Sequence, residues 1–522
     1  MKEWIRTVLN YKPKYNKIIN EKEYEDINYK YLNDSMVYFD QTECSIDDTT
    51  WHDLEMNSVY YKVNKTLTSP GEEILYNWLK NPSHDEASYS KRKNKIDLFK
   101  SDDIQLDDLR SKLNKVGYCS HDLREMLKEK RDEEKKKRLN PLLVLLPMVI
   151  SVILSFLYSN AMTLTLTSIA VLGVIIYHYT FTIKNKNKII MSNYILNILN
   201  FYNDHLDLVK EKVFSDYDTH EISKKLMPLN KYYNSYSRLE GLNPFLDIGD
   251  VITLKVVRKF SEVDDLLTDL TYDVENMLNL FGEIDSLQSI ATDTLNKPEV
   301  ISPEMSDDFK NIEGKNAKNI LIDKATGNDI NLDKSIVITG SNMSGKSTYL
   351  RVVGVNVLLA QGLCFVCADH FKAGFHKIIS SISLNDDIES GKSYFMKEAE
   401  AIQRMLNQSD TKGNNLFLID EIFKGTNPTE RLAASVEILN DLAQRSHVIV
   451  TTHDVNILDD LKNYEFYHFE HNINKDEMVF DYTIKSGITT AKSALKLMEY
   501  INYPQSLIQS IYTRIENTKS AV

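Results

Sequence analysis

From Pro141 to Ile183 the sequence runs for 43 residues without Asp, Glu, Lys or Arg, and His178 is its only titratable side chain apart from tyrosines. The run divides at Ser159-Asn160-Ala161 into two stretches of about 18 to 21 residues. A helix rises about 1.5 Å per residue and a bilayer core is about 30 Å thick, so each stretch is just long enough to cross. Basic residues crowd both outer flanks, seven within Lys128–Arg138 and then Lys184, Lys186 and Lys188, while the turn between the stretches has none. Loops rich in Lys and Arg stay on the cytoplasmic side, so the expected arrangement is a transmembrane helical hairpin over 141–183 with both flanks cytoplasmic. A buried hairpin of a soluble core is the alternative, but a core helix keeps a polar stripe and neither stretch has a charged one.

The remaining composition is that of a folded protein, with 42% hydrophobic and 26% charged residues in 522. The formal charge of −13 supplies no global field to draw the chain onto nucleic acid. Four cysteines are too few and too scattered for a disulfide framework. Cys364 and Cys367 have metal or redox spacing without a second pair, which favours two small buried residues. The N-terminus has no apolar core of a signal peptide.

Helical periodicity dominates 56–140 and returns over 184–298, whereas residues 1–55 are polar and give no clear role. After Pro298 and Pro303 short β-rich runs alternate with helices, the pattern of an α/β domain over 299–522. Within it, the apolar run Ser335–Thr339 leads into Gly340-Ser341-Asn342-Met343-Ser344-Gly345-Lys346-Ser347 and a helical stretch from Thr348. This is G-x-x-x-x-G-K-[ST] between strand and helix, the setting in which backbone N–H groups cradle phosphates. Lys346 reaches the β- and γ-phosphates of ATP there, and Ser347 ligates Mg²⁺. Leu416–Asp420 is an apolar run ending in Asp420-Glu421. Asp420 fits the carboxylate that supports Mg²⁺, and Glu421 the base that orients an attacking water. A third apolar run, Val448–Thr452, ends at His453, which fits a sensor of the γ-phosphate. Between these lies Ser390-Gly391 opening a helical stretch, an anion-binding cap with no obvious ligand in its own subunit.

TGSNMSGKST, NDDIESGKSYFMKE, LFLIDEIFKGTN and TTHD resemble, in order and spacing, the motifs of the MutS family. Asn342 and Met343 within the loop are a MutS-type feature. Gly425-Thr426-Asn427 resembles the loop through which two ATPase subunits communicate, and Asp481–Gly487 with Ala494–Pro504 resembles the closing hairpin and helix. A weaker resemblance to the family's core-lever region runs through Lys65–Gly71 and Phe281–Leu287. The resemblance implies an α/β P-loop ATPase domain of ABC/MutS type preceded by an all-α lever domain, which the transmembrane hairpin interrupts. It implies ATP and Mg²⁺ as ligands and a homodimer in which Ser390 and Gly391 close on the partner's γ-phosphate.

Two departures from the family pattern shape the expectation. The first 55 residues leave no room for a mismatch-reading domain, and the Phe-x-Glu triplets Phe260–Glu262 and Phe281–Glu283 sit in the helical region, where they are read as chance matches or core positions. The apolar hairpin stands where DNA-clamping members carry their clamp, and the C-terminus leaves little room for an extra dimerisation element. The family label implies DNA mismatch repair-type DNA binding, but the expected protein is a multi-pass membrane ATPase with both termini cytoplasmic, without direct mismatch reading and with DNA binding weak or absent. A membrane scaffold or signalling ATPase is the alternative. A transporter nucleotide-binding subunit is disfavoured, since two apolar spans with no intramembrane charge offer no substrate path.

Overall fold

The computed structural model describes residues 24–101, 104–119, 122–132, 141–205, 219–236, 248–295, 297, 299–341, 344–382, 394–409, 414–423, 428–473, 478–488, 498, 501 and 503–519. Asn342, Met343, Ser390, Gly391, the loop Gly425–Asn427 and most of Ala494–Pro504 lie outside them. The chain forms two compact units interleaved along the sequence. One comprises 1–38, 65–75 and 95–292, and the other 39–64, 76–94 and 293–522.

The first unit is helical. The two apolar stretches are the helices Pro141–Tyr158 and Ala161–Lys184, both long and apolar enough to cross a membrane by length and composition. Only 6% and 17% of their apolar windows are buried, so most of the hairpin surface lies outside the core of this chain. The residues that carried the upstream resemblance meet one another here. The buried carboxylate of Asp285 accepts hydrogen bonds from Leu67 N, Thr68 N, the Thr68 hydroxyl and Gln288 Nε2 at 2.6–3.1 Å. Glycine at 71 and 282 makes this approach possible. A Cβ at Gly71 would stand 2.1 Å from Asp285 Oδ2, and one at Gly282 would stand 2.5 Å from the Pro70 carbonyl oxygen. Burial outweighs these donors and raises the Asp285 carboxyl to about 6. Phe260 and Phe281 are buried, as core positions should be.

The second unit is α/β. Six strands form its main sheet: β4 (Ser335–Thr339), β6 (Lys377–Ser381), β7 (Asn415–Asp420), β8 (His447–Thr452), β9 (Tyr464–Ile473) and β10 (Met478–Ser486). Their order is β10-β9-β4-β8-β7-β6, parallel except for β10, which pairs antiparallel with β9. Every residue of β4 is buried, and so is nearly every residue of β7 and β8. This explains why they read as continuous apolar runs: a parallel strand is covered on both faces. A smaller sheet, in the order β1-β5-β2-β3, joins β1 (Glu304–Met305), β2 (Ile312–Ala317), β3 (Asn328–Asn331) and β5 (His370–Ala373).

Residues before position 65 also build this unit. The helix Asp48–Asp53 packs on the edge strand β6. Asp53 accepts from the Ser380 hydroxyl at 2.7 Å and from Ile382 N at 2.9 Å, and the Thr50 hydroxyl accepts from Ser380 N at 3.2 Å. Arg404 donates to Asp47. The edge that an open sheet would otherwise expose is thereby covered.

Candidate functional site

Parallel pairing is what assembles the site. In register, Thr339 lies beside Thr452, and Asp420 beside Thr451. The carboxyl ends of β4, β7 and β8 therefore emerge together, although the sequence separates them by more than 30 or 70 residues. Open α/β sheets bind ligands at that edge.

The chain leaving β4 turns through Gly340 (φ 146°) and Gly345 (φ 107°), conformations that any Cβ would strain. Both glycines lie close to β9, with Phe469 O 3.0 Å from the position of a Cβ on Gly340. Ser344 donates to Ser341 O and tightens the turn. The helix Lys346–Leu363 begins immediately afterwards and is buried along most of its length. Gly354 lets it approach Leu54 and Leu418, each of which would stand under 3 Å from an added Cβ. Lys346 is itself buried, and its ammonium donates to the carbonyls of Gly340 and Ser341, 2.9 Å each. Ser347 and Thr348 occupy the first turn of the helix.

Ser347 Oγ donates to Asp420 Oδ2 at 2.6 Å, and the Thr451 hydroxyl donates to Asp420 Oδ1. Both carboxylate oxygens are thus held by hydroxyls, one from the helix start and one from the neighbouring strand. Thr451 belongs to a motif noted in the sequence but carried no role there; its signal is the register of β7 with β8. The next residue, Glu421, adopts φ 61° and donates its N–H to Thr451 O. Phe423 is also left-handed, at φ 58°. Two non-glycine residues in this region so close together mark a constrained turn at a strand end. His453 Nε2 lies 2.9 Å from Glu421 Oε1 and 3.3 Å from Lys346 Nζ. Lys346, His453 and Glu421 therefore form one continuous polar line, with Ser347, Asp420 and Thr451 beside it.

Cys364 and Cys367 are buried thiols, and burial pushes Cys367 up to about 11, away from reactivity. Among the described residues no group of three or more His, Cys, Asp or Glu side chains is placed to hold a metal ion.

Residues 336–519 match the family model of MutS domain V. The DNA mismatch repair protein MutS of Listeria monocytogenes is 30% identical over 276 residues, 49% of this chain and 32% of that protein. The protein of the same name from Staphylococcus haemolyticus is 29% identical over 264 residues, covering 48% and 29%. That of Methanococcoides burtonii is 24% identical over 322 residues, covering 58% and 36%. The matched region amounts to about a third of the length of these curated relatives. Over its C-terminal part, the chain is homologous to the MutS family.

Proposed function

We propose that this chain is a membrane-attached, MutS-like ATPase in which nucleotide binding and hydrolysis close and reopen a homodimer. The observation that carries this reading is the convergence of Lys346, Ser347, Asp420, Glu421 and His453 at the carboxyl edge of the parallel sheet. The donor set suits ATP and Mg²⁺. Gly345 stands at the N-terminus of the helix Lys346–Leu363, an end that favours phosphate. The Ser347 hydroxyl and the Asp420 carboxylate are adjacent hard oxygen donors and would hold Mg²⁺, which neutralises phosphate charge when bound.

The roles of the side chains follow from their present partners. Lys346, now donating to two loop carbonyls, would exchange one of them for a phosphate oxygen. Ser341, Asn342, Met343, Ser344 and Thr348 would complete the phosphate cradle. Glu421 would orient the attacking water, with His453 fixing its carboxylate and reading the γ-phosphate. Ser390 and Gly391 would close on the nucleotide of the second subunit, so ATP favours the closed dimer by its differential affinity for it. The helical unit would act as the lever, moving with the ATPase cycle. Lys346→Ala should abolish nucleotide binding. Glu421→Gln should keep binding and slow turnover by about 10²-fold or more, the scale of a lost general base. Unchanged turnover in Glu421→Gln would overturn the assignment.

Attachment would run through 141–183, with both flanks of the hairpin, both termini and the ATPase domain cytoplasmic. DNA is the ligand suggested by the relatives' name, mismatch repair protein. The formal charge of −13 and the apolar hairpin within the helical unit favour weak, salt-sensitive DNA binding without mismatch preference. They also favour, as a second reading, a membrane scaffold or signalling ATPase with no nucleic-acid ligand. Titration of matched and mismatched duplexes, with and without ATP, separates the two. Tight binding with mismatch discrimination would restore a repair role.

A further inference from the structure

The hairpin is not free along its whole length. Val174 of its second helix is buried with Leu254 and Val257, and Val144, Leu145, Met148, Tyr177 and Phe181 pack on the same cluster. Phe181 also meets Phe260 edge-on, with ring centroids 5.9 Å apart. The partners come from the junction between the helices Ile248–Thr253 and Lys255–Asp269. Lys255 and Arg258, adjacent in sequence to Leu254 and Val257, are exposed.

This collar fixes how deep the hairpin can go. If Lys184 marked the membrane surface, Val174, ten residues further in, would lie about 15 Å below it, near the middle of a bilayer core of about 30 Å. Leu254 packs on Val174, so exposed Lys255 and Arg258 would then be carried into hydrocarbon, where cations are strongly disfavoured. The charges belong instead at the headgroups, and the surface therefore crosses the hairpin near Met148 and Val174. Beyond that level there remain 149–158 and 161–173, about 15 Å and about 20 Å of helix. That is too short to cross a bilayer and matches a single leaflet.

The polar groups of this distal part suit an environment without water. Every serine and threonine from Ser151 to Ser168 bonds to a backbone carbonyl or, in the case of Ser155 with Thr167, across the hairpin. The Asn160 carboxamide oxygen accepts from Thr163 N at the tip. Hydrocarbon demands such internal satisfaction. Around the tip large apolar side chains are exposed, Phe156 at 85% and Met162 at 72%.

We propose that the hairpin enters only one leaflet of a phospholipid bilayer, its Ser159-Asn160 turn near the midplane and Lys255 and Arg258 among anionic headgroups. This differs from the two full crossings expected from the sequence and rests on the membrane reading above. The test uses the full chain bound to vesicles of phosphatidylcholine and phosphatidylglycerol, with native cysteines kept and the unsubstituted chain as blank. Ser159→Cys should react with a membrane-impermeant maleimide neither from outside nor from the vesicle lumen. Thr253→Cys should react from outside. A fluorophore on Ser159→Cys should be quenched more by nitroxides near the acyl-chain ends than by nitroxides near the headgroups. Lumenal labelling of Ser159→Cys would show a crossing and overturn the proposal, and outside labelling on vesicle-bound protein would show a surface contact and overturn it too. Failure of the unsubstituted chain to float with vesicles would overturn the membrane reading itself.

Discussion

His453 Nε2 lies 2.9 Å from Glu421 Oε1 while Lys346 Nζ stands 3.3 Å from the same nitrogen. One imidazole nitrogen is thus the link between the helix that follows β4 and the acid that follows β7. In the proposed mechanism His453 and Glu421 act as one unit.

His453→Ala should therefore lower the rate of ATP hydrolysis by about 10²-fold, the lower end of what a positioned acid–base group supplies, and leave nucleotide affinity nearly unchanged. Adding Glu421→Gln should cost little more, because residues acting as one unit are not additive. Steady-state turnover and nucleotide titration of the three proteins check this. Full additivity would mean independent roles.

The dimer prediction concerns Ser390 and Gly391. In Glu421→Gln protein ATP should raise the dimer fraction, and Ser390→Arg should prevent the rise. Light scattering with and without ATP is the measurement. A monomer that ignores ATP throughout would contradict the composite site.

Asp53 should matter to stability out of proportion to its distance in sequence from β6. Asp53→Ala leaves the Ser380 hydroxyl and Ile382 N without their acceptor. Two orphaned buried donors should destabilise the α/β unit by about 3 kcal/mol. Denaturant unfolding of Asp53→Ala beside Asp53→Asn checks the estimate, and the Asn variant should lose less.

Acid should affect the two units in opposite directions. His376 and His447 both direct Nε2 at the Lys310 carbonyl oxygen, and their rings lie 5.8 Å apart. Burial, reinforced by His447, lowers His376 to about 4 despite the carbonyls that favour its charged form. A histidine depressed in the folded state takes up protons later than in the unfolded state. Stability is then present above pH 6.5 and is lost as pH falls toward 4, by about 3 kcal/mol in all. Asp285 has the reverse sign. Its carboxyl is raised to about 6, so its contribution grows as pH falls through 6 and is lost as pH rises. Imidazole NMR titration should place His376 near 4, and His376→Gln should flatten the acid-side loss in the α/β unit.

What could be read from the sequence was whatever is contiguous and chemically demanding. The stretch 340–347 combines glycine, lysine and a hydroxyl within eight positions, and Lys346 and Ser347 begin the helix Lys346–Leu363. The strands ending at Asp420 and Thr452 announced themselves because burial on both faces leaves an uninterrupted apolar run. The part of Asp53, by contrast, is invisible in a polar stretch, since its partners lie more than 320 residues away. The same holds for Thr68, Gly71 and Asp285, whose contact only the fold reveals. The hairpin was legible as apolar, but Leu254, at a helix junction, and Val257, in the ordinary amphipathic helix that follows, limit its depth and carry no such signal.

The interleaving of the two units has a consequence for how the chain is made. The helix Asp48–Asp53 leaves the ribosome early, but β6, on which it packs, follows more than 320 residues later. At about 5 to 20 residues per second the delay is tens of seconds. On the membrane reading proposed above, the apolar hairpin, synthesised within that interval, would reach lipid before the sheet exists. Membrane delivery would then precede completion of the α/β fold, and the N-terminal segment must be kept from other strand edges until its own is made.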